Sequence, residues 1–106
     1  MHALPQGSTK FSAVFRDAVS NAMIEVLGNS GARAIRYYIG PVDYDDPKDF
    51  HTRLKALLGP GALALENVII QQLALLLGVP VFRLKPDDIV KSASLVRGLQ
   101  KAKQGG

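Results

Sequence analysis

The chain has 106 residues, enough for one domain folding around a single core. Its hydrophobic share of 47% and charged share of 21% are those of an ordinary globular protein, and the absence of cysteine excludes a disulfide framework, a thiolate nucleophile and a cysteine metal site. The net charge of +4 is lopsided: residues 1–50 hold five Lys/Arg against six Asp/Glu, and residues 51–106 hold eight against three, a balance that permits an anionic partner and equally serves solubility.

From the start, MHALPQGSTK lacks the basic opening and long apolar run of a signal peptide, so a cytoplasmic location is expected. Residues 1–7 have no periodicity and read as a flexible arm. Ser8 or Thr9 can cap a first helix reaching Leu27, with Phe11, Val14, Phe15, Ala18, Ala22 and Val26 on its apolar face and Ile24 left on the polar side. Gly28 stops it. Ser30 then caps a second helix over Gly31–Ile39, predicted to bury Ala34, Ile35 and Tyr38 and closed by Gly40-Pro41. After an acidic linker, Asp46 is the predicted N-cap of a third helix, Pro47–Leu58, with Pro47 at N1, Asp49 at N3 and Phe50, Leu54, Leu57 and Leu58 along one face.

The most apolar stretch follows. Pro60 opens and Gly78 closes a helix whose leucines, isoleucines and valine surround most of the wheel, leaving Ala64, Asn67, Gln71 and Ala74 as a narrow polar-to-small stripe. Glu66, Asn67, Gln71 and Gln72 interrupt it too often for a membrane span of about 20 apolar residues. It reads as a central helix, 60–77, packed among the others. Val79–Leu84 is expected to cross in extended form and lay Val81 or Phe82 on the core. Pro86-Asp87-Asp88 starts a fifth helix that buries Ile89, Ala93 and Val96, and residues 102–106 are a flexible tail. The expectation is an all-α bundle of about five helices forming one domain over residues 8–101.

The run Ala34-Ile35-Arg36-Tyr37-Tyr38-Ile39, then Asp46-Pro47-Lys48-Asp49-Phe50, then Leu58-Gly59-Pro60-Gly61-Ala62-Leu63-Ala64-Leu65-Glu66, resembles the Nitrososphaera-type output domain. That small helical domain stands at the C-terminal end of archaeal sensor-like proteins and also alone. The resemblance covers about residues 15–79; this chain has a shorter linker between its second and third helices and adds a helix after Gly78. It implies a signalling or protein-interaction module of an archaeal cytoplasm, with no catalytic activity to carry over.

Candidate chemistry is sparse. Asp43, Asp45, Asp46 and Asp49 have acids at calcium-loop spacing, but Pro47 falls where an oxygen ligand is needed and Leu54 stands at the twelfth position, so an acidic turn and helix cap is preferred. His2 and His51 are too far apart in sequence to suggest a zinc pair. The serines lack a nucleophile elbow, His51 has no evident acid partner, and Gly59-Pro60-Gly61 is neither a P-loop nor a dinucleotide fingerprint. No catalytic, cofactor or metal residue is assigned, and an enzyme is not expected.

Glu66 points among Leu63, Ile70 and Leu77, where a carboxylate needs a partner; Arg33, Arg36, Arg53 or a helix-end N–H are the candidates. Glu66, Gln72, Arg33 and Tyr37 form the candidate structural or partner lock, Gln72 also marking where a second subunit can pack. Lys91, Arg97, Lys101 and Lys103 are the candidate nucleic-acid contacts. The preferred function is a noncatalytic, self-associating interaction module, a homodimer with apolar surface to spare at Ile24, Leu75 and Leu95. Alternatives are a small basic DNA-binding protein and a small-molecule sensor with a pocket beside Glu66 and Tyr38. A protein partner is compatible with the first; no membrane is involved.

Overall fold

A computed structural model describes residues 10–84 and 88–105, with the side chains of Lys10, Phe82 and residues 99–105 excepted. The fold is all-α. Its helices are α1 (Lys10–Ile39), α2 (Pro47–Leu58), α3 (Gly61–Leu77) and α4 (Ile89–Gly105), with one 3-10 turn over Val81–Arg83. The radius of gyration, 13.6 Å, is that of a compact chain of this length.

The expected first and second helices lie end to end within α1, so four helices are counted rather than about five. The break between them falls at Gly28, as the sequence indicates, with φ 75°, ψ 174°, a conformation open essentially only to glycine. The bend there is sharp. The Arg36 guanidinium donates to Ser20 Oγ across sixteen residues, a span of roughly 24 Å along a straight helix and far beyond two side chains. The arms of α1 on either side of Gly28 therefore fold back on one another. Gly31 completes the corner, since a Cβ there would sit 2.7 Å from Leu27 Cβ.

The N-terminal arm buries Phe11, Phe15, Ala18, Val19, Ala22 and Met23, close to the expected face, whereas Val26 is exposed at the corner. The C-terminal arm is rotated from expectation. Ala32 and Ile39 are buried, Ile35 is half-buried, and Ala34 and Tyr38 face solvent, Tyr38 packing edge-to-face on exposed Tyr37. Tyr44, from the linker, takes the inward aromatic role. It joins Phe11, Phe15 and Phe50 in a cluster with neighbouring ring centroids 5.5–6.4 Å apart.

Helix α2 begins as its sequence dictates, with Asp46 Oδ1 accepting the Asp49 N–H at 3.1 Å and Pro47 in the first turn. Phe50 and Leu54 are fully buried, Leu58 is partly buried, and Leu57 is exposed. Gly59, at positive φ, reverses the chain into α3, which starts one residue later than expected with Pro60 as its N-cap. Helix α3 packs most extensively on α1 and also meets α2 and α4. Leu65, Ile69, Ile70 and Leu73 are buried, and so is Ala74 from the polar-to-small stripe; Leu75 is exposed as expected, and Leu63 and Leu76 are exposed as well.

Beyond Gly78, in the left-handed region, the backbone forms the short 3-10 turn rather than an extended crossing. Leu84 reaches the core and Val81 is exposed; the Phe82 side chain lies outside the described residues. Asp88 Oδ1 accepts the Lys91 N–H and caps α4, which buries Ile89, Ala93 and Val96 as expected, together with Ser92. The expected contributions of Ser8, Thr9, Pro86 and Asp87 lie outside the described residues. Among the described residues no helix is long and apolar enough to cross a membrane.

Candidate functional site: a histidine–glutamate pair on the wall of a cavity

Helices α2 and α3 run back from the Gly59-Pro60 turn as a hairpin, and this sets His51 opposite Glu66. His51 Nδ1 lies 2.6 Å from Glu66 Oε2. The carboxylate is only 2% exposed, while the histidine side chain is 36% exposed, so the pair reaches from the core to the surface. Burial pushes the Glu66 carboxyl above its ordinary range. The hydrogen bond and charge of His51 oppose that rise, Asp88 adds to it, and Lys55 works against it. The partner is thus His51, not one of the expected arginines, and the histidine does have a paired acid.

This pair forms part of a cavity of about 430 Å³, with Lys55, Gly59, Pro60, Ala62, Leu63, Asp88 and Ile89 completing the lining. One wall is apolar, from Ala62, Leu63 and Ile89; the other carries a cation, a histidine and two carboxylates. A concave, mostly preformed site with few convergent polar groups has the character of a small-molecule pocket. Among the described residues the lining contains no hydroxyl or thiol nucleophile. The Ala62 and Leu63 N–H groups at the start of α3 already donate to Gly59 and Pro60 carbonyls, so they are not free to stabilise an oxyanion. What the site offers is a hydrogen-bonded acid–imidazole pair facing a small cavity. The expected pocket beside Glu66 exists, but Tyr38 is not in its wall.

The other members of the candidate lock do not converge on Glu66. Gln72 Nε2 donates to Glu25 Oε1 at 3.0 Å, pinning α3 to α1. Arg33 and Tyr37 are exposed on the C-terminal arm of α1. Arg53 bonds Asp49 at 2.8 Å and the Ile39 carbonyl at 3.2 Å, closing the end of α1. The acidic turn is absorbed locally: Asp43 Oδ1 accepts the Asp45 N–H, and Asp46 caps α2.

Of the candidate nucleic-acid contacts, Lys91 is exposed and the side chains of Lys101 and Lys103 lie outside the described residues. Arg97 is not on a free solvated face. Its guanidinium lies 4.4 Å above the Phe11 ring, donates to the Asp45 carbonyl and pairs with the Asp45 carboxylate at 3.5 Å, tying α4 to the N-terminal arm and linker. No family model, curated protein or solved structure matches this chain.

Proposed function

We propose that this chain is a noncatalytic helical signalling and interaction module whose receptor element is the cavity bounded by His51 and Glu66. The observation that carries the proposal is the carboxylate buried at the cavity wall and held by one half-exposed histidine. A ligand with an N–H or O–H donor and a small apolar body can engage the carboxylate or the imidazole and rest against Leu63 and Ile89. Because the lining comes from α2, α3 and the start of α4, occupation biases how these helices pack, which is the kind of coupling a sensory output domain needs. This agrees with the resemblance to archaeal output domains.

The test is a fragment titration followed by amide and methyl NMR. Fragments carrying an amine or hydroxyl donor should shift the resonances of Leu63 and Ile89, and Glu66→Gln should weaken that binding about tenfold, as expected for the loss of a hydrogen bond to a charged group. No binding fragment, or binding indifferent to Glu66→Gln, refutes the receptor role.

Self-association is the output this reading favours. Leu75 is 73% exposed, with Leu76 beside it, and Ile24 and Leu95 are exposed as well. A second copy of the chain covering Leu75 is the proposed arrangement. Light scattering that finds only monomer at high protein concentration sinks it.

A further inference from the structure

The corner at Gly28 brings the two arms of α1 together around a second cavity. Arg16, Asp17 and Ser20 from the N-terminal arm of α1, Arg36 from the C-terminal arm and Tyr44 from the linker line a cavity of about 320 Å³. We propose that this cleft binds a phosphate monoester, with the guanidinium groups of Arg16 and Arg36 and the Tyr44 hydroxyl taking the terminal oxygens.

Two guanidinium groups converge here from opposite arms. Among the described residues, neither makes an ion pair, in contrast to Arg53 and Arg97, which are both paired with carboxylates. Asp17 shares the lining without an ion pair to either arginine. Arg36 is already oriented by its hydrogen bond to Ser20 Oγ. Tyr44 is half-buried; burial pushes its phenol up, while the charges of Arg36 and then Arg16, which line the same cleft, pull it down. The phenol therefore remains a neutral donor beside two positive charges.

Guanidinium groups match the planar oxygen edges of phosphate and carboxylate, but three donor groups suit the three terminal oxygens of a phosphate better than the two of a carboxylate. The cavity has room for roughly ten waters at about 30 Å³ each, more than the phosphoryl group needs. Asp17 also lines the cleft, and its carboxylate favours an ester that carries a hydroxyl or ammonium donor.

The experiment is calorimetric titration of the full chain at fixed ionic strength with inorganic phosphate, O-phosphoethanolamine and acetate. Phosphate should bind more tightly than acetate, and O-phosphoethanolamine should gain affinity as its phosphoryl group becomes a dianion near pH ~6. O-phosphoethanolamine should bind more tightly than inorganic phosphate in the native chain and lose that advantage in Asp17→Asn. Arg16→Gln and Arg36→Gln should each weaken phosphate about tenfold or more, whereas Lys48→Gln, which removes an exposed charge elsewhere, should leave it nearly unchanged.

Arg36 also holds Ser20, so the decisive variant is Arg16→Gln, which alters an exposed side chain with no hydrogen bond to another described residue. Acetate binding as tightly as phosphate overturns the proposal, and so does Arg16→Gln weakening phosphate no more than Lys48→Gln. O-phosphoethanolamine binding no better than inorganic phosphate overturns the ester assignment.

Discussion

Replacing His51 with alanine isolates the energetics of the buried pair. Glu66 is 2% exposed, and among the described residues His51 is its only hydrogen-bond partner. Removing one member of a fully buried ion pair costs about 3–5 kcal/mol. His51 is 36% exposed and the cavity lets water approach, so the appropriate magnitude is that of a lost hydrogen bond to a charged group, about 2–3 kcal/mol at neutral pH. In a domain of this size that lowers Tm by roughly 10–20 °C. The pH dependence has a definite sign. Burial already holds the Glu66 carboxyl above its ordinary range, and loss of His51 removes the main interactions opposing that rise. An acid whose folded-state pKa is raised contributes stability that is fully present below the unfolded value and is lost as pH climbs through the folded value. Urea unfolding of His51→Ala and of His51→Ala/Glu66→Gln, compared across mildly acidic to neutral pH, reports on Glu66 alone, since both lack the histidine. The single variant should lose stability relative to the double variant as pH rises. A neutral-pH cost of His51→Ala below about 0.5 kcal/mol, or a difference between the two variants that is flat with pH, refutes the account.

Four further outcomes follow from the packing. Gly28→Ala should cost about 1–3 kcal/mol by thermal unfolding although a Cβ there meets nothing within 4 Å, because the penalty is purely conformational; a neutral result means the corner is not fixed as described. Arg97→Ala should destabilise by about 1–2 kcal/mol through loss of the Phe11 and Asp45 contacts, where a solvated residue would change stability by less than about 0.5 kcal/mol. Asn67→Ala should raise stability by about 1 kcal/mol in chemical denaturation, since Asn67 Oδ1 is buried with no partner among the described residues and alanine is the better helix former. Leu75→Ser should leave a dilute sample unchanged within about 0.5 kcal/mol and remove any concentration dependence of Tm, the signature of a subunit seated on that residue.

Much of the fold was legible because its signals are local. Asp46, Pro47 and Asp49 specify the start of α2 within four residues, and Ile89, Ala93 and Val96 repeat at helical spacing on α4. Gly28 was recognisable as an interruption, but the sharpness of the bend, which brings Arg36 back to Ser20, is a tertiary fact that no local signal carries. The C-terminal arm of α1 misled for a related reason. Ala34, Ile35 and Tyr38 have the spacing of a buried face, but Tyr44 and the phenylalanines already fill the aromatic part of the core. Arg97 looked like one cation on a basic helix; nothing within α4 foretells that Phe11 and Asp45 will lie beneath it.

The pairing of His51 with Glu66 did leave a trace in the sequence, of a kind that helical periodicity does not examine. A helical hairpin brings together residues at nearly equal distances before and after its turn. His51 lies eight residues before Gly59 and Glu66 seven after it; Ser20 and Arg36 each lie eight from Gly28. Both glycines take positive φ. In each case a polar side chain meets its mirror-image partner, and each proposed site is built around one such pair. A reading of helix faces one at a time leaves Glu66 in search of an arginine and His51 without an acid, whereas folding the sequence about Gly59 supplies both. The same operation cannot find Gln72 with Glu25 or Arg97 with Asp45, because those residues belong to elements that are not consecutive arms of one hairpin. The two sites therefore depend on different glycines: a substitution at Gly28 should weaken the arginine cleft while the histidine–glutamate pair remains, because that pair is brought together across the turn at Gly59.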